Sequence, residues 1–270
     1  MTWIPPGPAL LFCPADRPER FLKAALMADA VILDLEDGVA ASNKPAAREA
    51  LRRSELDPAE TVVRINPAGT RDHELDLESL AATPYDIVML AKSESAEQMA
   101  GLSHLQVLAL CETPQGIFCA ASMAACTWVT GLMLGAEDLV ATLGGRSSRD
   151  IDGKLTGVAQ FARSQMLLVA SSHGKLAIDA AHLNIGDPEG LSVEAGDAAL
   201  SGFSAKACIH PSQAAVVRRA YQPSDQDVDW ARGVLAANTV SQGVFVYEGQ
   251  MVDAPVLRQA RRILGARRES

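Results

Sequence analysis

Short, continuously apolar runs alternate with longer amphipathic stretches over most of the chain. The runs fall at 9–13, 30–35, 61–66, 86–91, 105–111, 129–134, 175–178 and 204–209. Most are apolar at consecutive rather than alternate positions, as in strands covered on both faces. The stretches between them carry helix signals. Residues 18–28 place Phe21, Leu22, Ala25 and Leu26 at helical spacing, and Ser42 is the expected N-cap of a helix over 44–53. Helices are also predicted over 72–80 and over 95–102, the latter opening with the capping-box pattern Ser95-Ala96-Glu97-Gln98. A helix over 156–172 ends near Gly174, and Pro114, Pro188, Pro211 and Pro255 sit just inside further helix starts.

Eight strand–helix units in about 250 residues predict a closed (β/α)8 TIM barrel. An open doubly wound sheet is the alternative, but no Gly-x-Gly-x-x-Gly follows the first strand. After the eighth unit come a helix over 224–238, a strand over 244–247, a Glu248-Gly249 turn and a helix from Ala254. This tail exceeds what a barrel requires. The expected division is therefore a barrel over 1–222 and a C-terminal helical and hairpin extension over 223–270, free to cross onto a neighbouring subunit. Residues 115–136 are uncharged and nearly long enough to span a bilayer. They are rich in Ala, Gly, Ser, Thr and Cys and break around Cys126-Thr127, so they read as a buried helix followed by a buried strand.

Composition narrows the function. The 270 residues suffice for a large core, and the net charge of -9 argues against a general nucleic-acid binder. The five cysteines are odd in number, lie in apolar surroundings and form no C-x-x-C pair, which points to a reducing, cytoplasmic setting. The N-terminus has no basic segment, and Asp16-Arg17 interrupts it too early for a signal peptide.

The candidate chemistry lies where the apolar runs end. Glu36 and Asp37 follow the second run, Glu112 the fifth, and Glu137 and Asp138 the sixth. Arg64 interrupts the third, Lys92 follows the fourth and His210 the eighth. In a barrel these positions converge at the C-terminal mouth. Such a gathering of acids is costly unless a hard divalent cation sits among them. Mg2+ takes one or two protein carboxylates, here assigned to Glu112 and Asp138; the competing role for each acid is in the first turn of a helix. Arg64 suits a buried partner of Glu36 or Asp37 and, compatibly, a bidentate clamp on a substrate carboxylate. Lys92 suits an anion or a nearby acid, with a Schiff base as the alternative, and His210 suits a structural hydrogen bond. Arg17, Arg20 and Lys23, spaced three apart, share one face of the first helix. They form either a solvated face or a site for the phosphates of a nucleotide-tailed substrate.

Motifs in order along the chain carry a resemblance. They are Leu11-Phe12-Cys13-Pro14-Ala15-Asp16-Arg17-Pro18-Glu19-Arg20-Phe21, Val31-Ile32-Leu33-Asp34-Leu35-Glu36-Asp37, Arg64-Ile65-Asn66, Cys111-Glu112-Thr113-Pro114-Gln115-Gly116, Gly135-Ala136-Glu137-Asp138, Cys208-Ile209-His210-Pro211-Ser212-Gln213 and Met251-Val252-Asp253-Ala254-Pro255-Val256. Together they resemble the citrate lyase beta-subunit-like proteins, which belong with the malyl-CoA and citramalyl-CoA lyases in the HpcH/HpaI aldolase superfamily. The resemblance implies a (β/α)8 barrel, usually a homotrimer, with Mg2+ on Glu112 and Asp138 and the substrate carboxylate on Arg64. It implies that the backbone at Gly135 and Ala136 helps hold the substrate. It places the CoA contacts after the first strand, loosely matching Arg17, Arg20 and Lys23. It makes Asp253 a catalytic base reaching a neighbour's site, with Glu36 and Asp37 as supporting acids. The implied reaction is Mg2+-dependent carbon–carbon cleavage of a 3-hydroxyacyl-CoA, such as citramalyl-CoA or malyl-CoA, into acetyl-CoA and a 2-oxo acid, or the reverse. The alternatives are the catalytic beta subunit of a citrate lyase acting on a citryl carrier protein, a 2-oxo-acid aldolase without a thioester, and a non-catalytic assembly subunit. The implied partners are small carboxylates or thioesters, with neither nucleic acid nor membrane. Residues 139–150 depart from the family pattern, which touches the substrate-selecting surface and not the metal site.

Overall fold

Parallel pairing joins the eight apolar runs into a closed barrel in sequence order, with the last strand returning to the first. In the computed structural model, which describes residues 2–239 and 243–266, the strands are β1 (Ala9–Pro14), β2 (Ala30–Asp34), β3 (Thr61–Ile65), β4 (Ile87–Leu90), β5 (Gln106–Cys111), β6 (Val129–Leu134), β7 (Leu176–Asp179) and β8 (Ala205–Cys208). Strands covered by helices outside and by one another inside need apolar residues at both parities, which is why the runs are continuous.

One parity faces inward. Leu10, Ile32, Val62, Met89, Leu110, Met133, Ile178 and Ala207 belong to one buried cluster that fills the barrel. Two residues further along their strands, the same parity places Asp34 after Ile32, Arg64 after Val62 and Glu112 after Leu110. Polar groups thus continue the inward rows where the barrel opens.

The barrel helices are α1 (Phe21–Met27), α2 (Lys44–Arg52), α3 (Arg71–Leu80), α4 (Ala96–Ala100), α5 (Pro114–Ala124), α6 (Ala136–Thr142), α7 (Gly157–Ser172), α8 (Pro188–Ser201) and α9 (Pro211–Tyr221). Ser95 and Gln98 form the reciprocal capping box at α4, and Gly174 takes the left-handed backbone (φ 64°) just past α7. Ser42, however, is not a cap. A 3-10 turn at Ala41–Asn43 leads into α2, so Asn43 holds the capping position and the Ser42 hydroxyl turns aside to its Oδ1. The first helix likewise opens with a 3-10 turn at Pro18–Arg20, leaving Arg17 ahead of it. Arg17, Arg20 and Lys23 therefore do not share one face of one helix. The uncharged stretch 115–136 is α5 followed by β6, and among the described residues no helix is long and apolar enough to cross a membrane.

Outside the barrel, buried charges tie the scaffold together. Asp76 on α3 is fully buried and accepts from Arg48 Nε of α2 at 2.7 Å and from the Asn66 amide and Nδ2 at 2.9 and 2.7 Å. Asn66 Nδ2 also reaches Leu35 O at 2.9 Å, which locks the exits of β2 and β3 to each other. Behind β7 and β8, Lys206 Nζ lies 2.9 Å from Asp179, which also accepts from Arg163 Nε of α7 at 2.7 Å.

The chain divides into two compact units, Met1–Arg218 and Arg219–Ser270. The second holds α10 (Asp225–Asn238), β9 (Phe245–Tyr247), β10 (Gln250–Val252) and α11 (Ala254–Ala266). Glu248 and Gly249 both adopt positive φ, 48° and 79°, the tight turn that returns β9 antiparallel as β10. Ala231, Val234, Val252 and Ala260 are its buried core.

Asp76→Ala would leave Arg48 buried without its inner partner. In urea unfolding it should destabilise the protein by about 3–5 kcal/mol; a loss below about 1 kcal/mol would show that this network does not hold the β2 and β3 exits.

Candidate functional site

Asp34 and Arg64 are register partners on the neighbouring strands β2 and β3, and both face inward. The guanidinium grips the carboxylate at two points, Nε to Oδ1 at 2.6 Å and Nη2 to Oδ2 at 2.5 Å. Arg64 Nη1 lies 3.2 Å from Glu36 Oε2, and the guanidinium sits 4.9 Å from the centre of the Phe12 ring. Asp34 also accepts the backbone N–H groups of Glu36 and Gly38, each at 2.9 Å. A side chain at Gly38 would collide with this carboxylate, so the turn after β2 needs glycine there. Asp34 thus has four donors and Arg64 two acids, as buried charges require.

Arg64 was expected to pair with Glu36 or Asp37. It does meet Glu36, but its main partner is Asp34, the last residue of β2. Asp37 is largely exposed and meets Lys92 instead, at 3.2 Å from Nζ. Lys92 Nζ also lies 2.5 Å from Glu36 Oε1 and 3.4 Å from Asp138 Oδ2, while the Lys92 amide donates to Glu112 Oε1 at 2.9 Å. Residues beyond β2, β5 and β6 therefore converge on one lysine beyond β4.

Glu112 is almost wholly buried. Burial raises its carboxyl to about 8, with the Asp138 charge adding to the shift against the Lys92 amide and the Lys92 and Arg64 charges. For Arg64 and Lys92, burial works against the charge. The hydrogen bonds and charge of Asp34 hold Arg64 above its ordinary range, and those of Glu36 do the same for Lys92. A lysine held so firmly as ammonium is a poor Schiff-base nucleophile. The Asp37 carboxyl is raised by burial, but the Lys92 hydrogen bond and charge bring it below its ordinary value.

Arg64, Glu112, Gly135, Ala136, Asp138 and Asp37 line one cavity of about 210 Å³, whose apolar wall includes Phe12, Leu110 and Met133. Gly135 allows close approach, since a Cβ there would stand 2.5 Å from the Glu112 carboxylate. Among the described residues no cluster of three or more His, Cys, Asp or Glu side chains is arranged to hold a metal by itself. Two carboxylates beside an open cavity, one of them almost wholly buried, fit Mg2+, which fills most of its octahedron with water and ligand oxygens.

The remaining candidates lie elsewhere. Arg17, Arg20 and Lys23 are exposed after β1, and the first two have only loose neighbours, Asp16 and Glu19 at 3.8 Å. Glu137 accepts from Ser148 Oγ at 2.5 Å, which anchors the segment after α6. His210 is exposed, with its ring Nδ1 2.7 Å from Ser212 Oγ. Asp253 belongs to the second unit, where it accepts from the Val256 amide at 3.3 Å at the start of α11. Burial pushes the Cys13 thiol up to about 11 and Cys208 to about 12, so neither is a ready nucleophile.

The HpcH/HpaI aldolase/citrate lyase family matches residues 9–211. A citrate lyase subunit beta-like protein of Mycobacterium tuberculosis is 59% identical over 258 residues, covering 96% of this chain and 94% of its own. The mitochondrial citramalyl-CoA lyase of Homo sapiens is 30% identical over 290 residues, covering 95% and 84%. A crystal structure of protein CitE from Mycobacterium tuberculosis in complex with magnesium, acetoacetate and coenzyme A superposes with a TM-score of 0.94 at 58% identity, covering 96% of this chain and 97% of that one. These relatives are lyases, and the superposed crystal structure shares the barrel. The chain is an enzyme of the HpcH/HpaI aldolase/citrate lyase family.

Proposed function

We propose that this enzyme is a Mg2+-dependent carbon–carbon lyase that splits a 3-hydroxyacyl-CoA into acetyl-CoA and a small oxo acid, or joins them in reverse. The observation that carries the reading is the one cavity lined by Arg64, Glu112 and Asp138 together with the apolar Phe12, Leu110 and Met133. An oxo acid has matching chemistry: a carboxylate for the guanidinium and oxygens for a metal on the acids. Glu112 and Asp138 would hold Mg2+, which when bound lowers the pKa of a substrate hydroxyl and stabilises the oxyanion.

The chain's own groups supply the rest. Two of the five N–H donors of Arg64 fix Asp34 and another approaches Glu36, so the guanidinium is held rigid with donors left for a substrate carboxylate. Glu36 and Asp37 keep Lys92 in place rather than touching substrate. Phe12, Leu110 and Met133 limit water around the reacting bond. Asp253 of the partner subunit is assigned as the base that takes the hydroxyl proton, in a homotrimer. As that proton leaves, the C2–C3 bond of the acyl group breaks. The oxygen becomes the carbonyl of the oxo acid, and the electron pair forms the acetyl-CoA enolate, which is then protonated. Arg17, Arg20 and Lys23 are assigned to the CoA phosphates.

The related M. tuberculosis protein holds acetoacetate together with CoA. The thioester that releases acetoacetate and acetyl-CoA is 3-hydroxy-3-methylglutaryl-CoA, which therefore belongs among the test substrates beside the esters that release 2-oxo acids. A second reading, a citrate lyase beta subunit acting on a citryl carrier protein, draws support from the description of the 59% identical relative. It requires partner subunits for turnover.

The deciding experiment offers the purified chain citramalyl-CoA, malyl-CoA, citryl-CoA and 3-hydroxy-3-methylglutaryl-CoA with Mg2+. Release of acetyl-CoA from at least one, abolished by EDTA, is expected; silence on all four until a carrier protein is added would favour the second reading. Glu112→Gln and Asp138→Asn should each lower kcat/KM by more than about a hundredfold, whereas unchanged turnover would remove the metal assignment. The raised Glu112 carboxyl gives a pH dependence. Below about 8 it carries a proton that a metal ligand must lose. Mg2+ affinity measured by calorimetry should therefore fall from pH 8 to pH 6, approaching about tenfold per unit, and should not fall in this way in Glu112→Gln.

A further inference from the structure

Lys92 has a backbone φ of 49°, a left-handed conformation that residues with side chains rarely adopt. Only one other non-glycine among the described residues shares it, Glu248, which sits in a hairpin turn. The neighbouring chain holds the strain: the Ser93 amide returns to Leu110 O at 3.0 Å and its hydroxyl to Leu90 O at 2.8 Å. The conformation has a consequence at both acids assigned to the metal. It aims the Lys92 amide at Glu112 and carries the ammonium to Asp138, while Glu36 and Asp37 tether that ammonium from the other side.

We propose that the Lys92 ammonium competes with the divalent cation for Asp138 and so sets how tightly the enzyme holds its metal. The inference rests on the metal reading above and deepens it. The two cations draw on one carboxylate, and like charges this close repel through a partly desolvated medium. Glu36 is itself fixed by Arg64, so the ammonium is held near Asp138 rather than free to leave for solvent. Lys92 is thus a positioning residue with two opposed effects: its amide orders Glu112 for the metal, and its charge weakens the grip of Asp138. The result is a site that binds metal loosely and exchanges it readily.

The test is calorimetric titration of the full chain with MgCl2, comparing wild type with Lys92→Gly, Lys92→Gln and Lys92→Arg. Glycine is the safest variant for folding, because it suits the left-handed backbone and keeps the amide to Glu112 while removing the ammonium and its contacts with Glu36, Asp37 and Asp138. Lys92→Gly and Lys92→Gln should bind Mg2+ about tenfold more tightly than wild type, and Lys92→Arg within about twofold of it. Thermal melts establish that each variant is folded. If glutamine disrupts folding, the glycine variant alone decides. Unchanged or weaker Mg2+ binding in folded Lys92→Gly overturns the proposal, as does a wild type that takes up no Mg2+. Tighter binding in the variants with no cleavage of any thioester would sink the lyase reading and leave this inference standing.

Discussion

The ion pair between Asp34 and Arg64 is the contact on which the barrel mouth depends. A guanidinium inside a barrel is tolerable only if acids surround it, and Asp34 supplies the nearest one across a single strand register. Once Arg64 is fixed, Glu36 has a defined partner, Glu36 in turn anchors Lys92, and Lys92 touches both Glu112 and Asp138. The site is therefore a chain of alternating charges, each restrained by the one before it. Rigid placement of this kind is what a reaction governed by orientation requires.

The scaffold supports that chain from behind. Arg48, Asp76 and Asn66 lock the exits of β2 and β3, the two strands that carry Asp34 and Arg64. Glycine appears where backbone must approach a carboxylate: Gly38 against Asp34 and Gly135 against Glu112. The apolar wall of Phe12, Leu110 and Met133 lowers the local dielectric, which strengthens each ion pair and raises the Glu112 carboxyl. One feature of the environment thus stabilises the paired charges and destabilises the unpaired one.

The barrel was legible because its signals are local and redundant. Continuous apolar runs located every strand end to within one residue, and Ser95 with Gln98 formed the capping box that their spacing required. The acids at the strand ends were legible too, since polar residues that stop an apolar run have few places to go. Asp34 was missed because it sits inside the run, two positions before the acids that drew attention, and only the register with Arg64 reveals its role. Ser42 misled because a 3-10 turn moved the cap by one residue, a choice set by local backbone bonding rather than by residue type. The return strand β10 and the short helix α6 had no periodicity long enough to register. The convergence on Lys92 was beyond the sequence, because it follows from a backbone angle.

The central claim is that acids from separate strands jointly hold a divalent cation opposite one arginine. The most direct measurement is the anomalous difference map of a crystal soaked with Mn2+ and an oxo acid. The account predicts one strong peak within about 2.0–2.3 Å of carboxylate oxygens of both Glu112 and Asp138, with the acid's carboxylate on Arg64. A peak elsewhere, or none at these two residues, would contradict it.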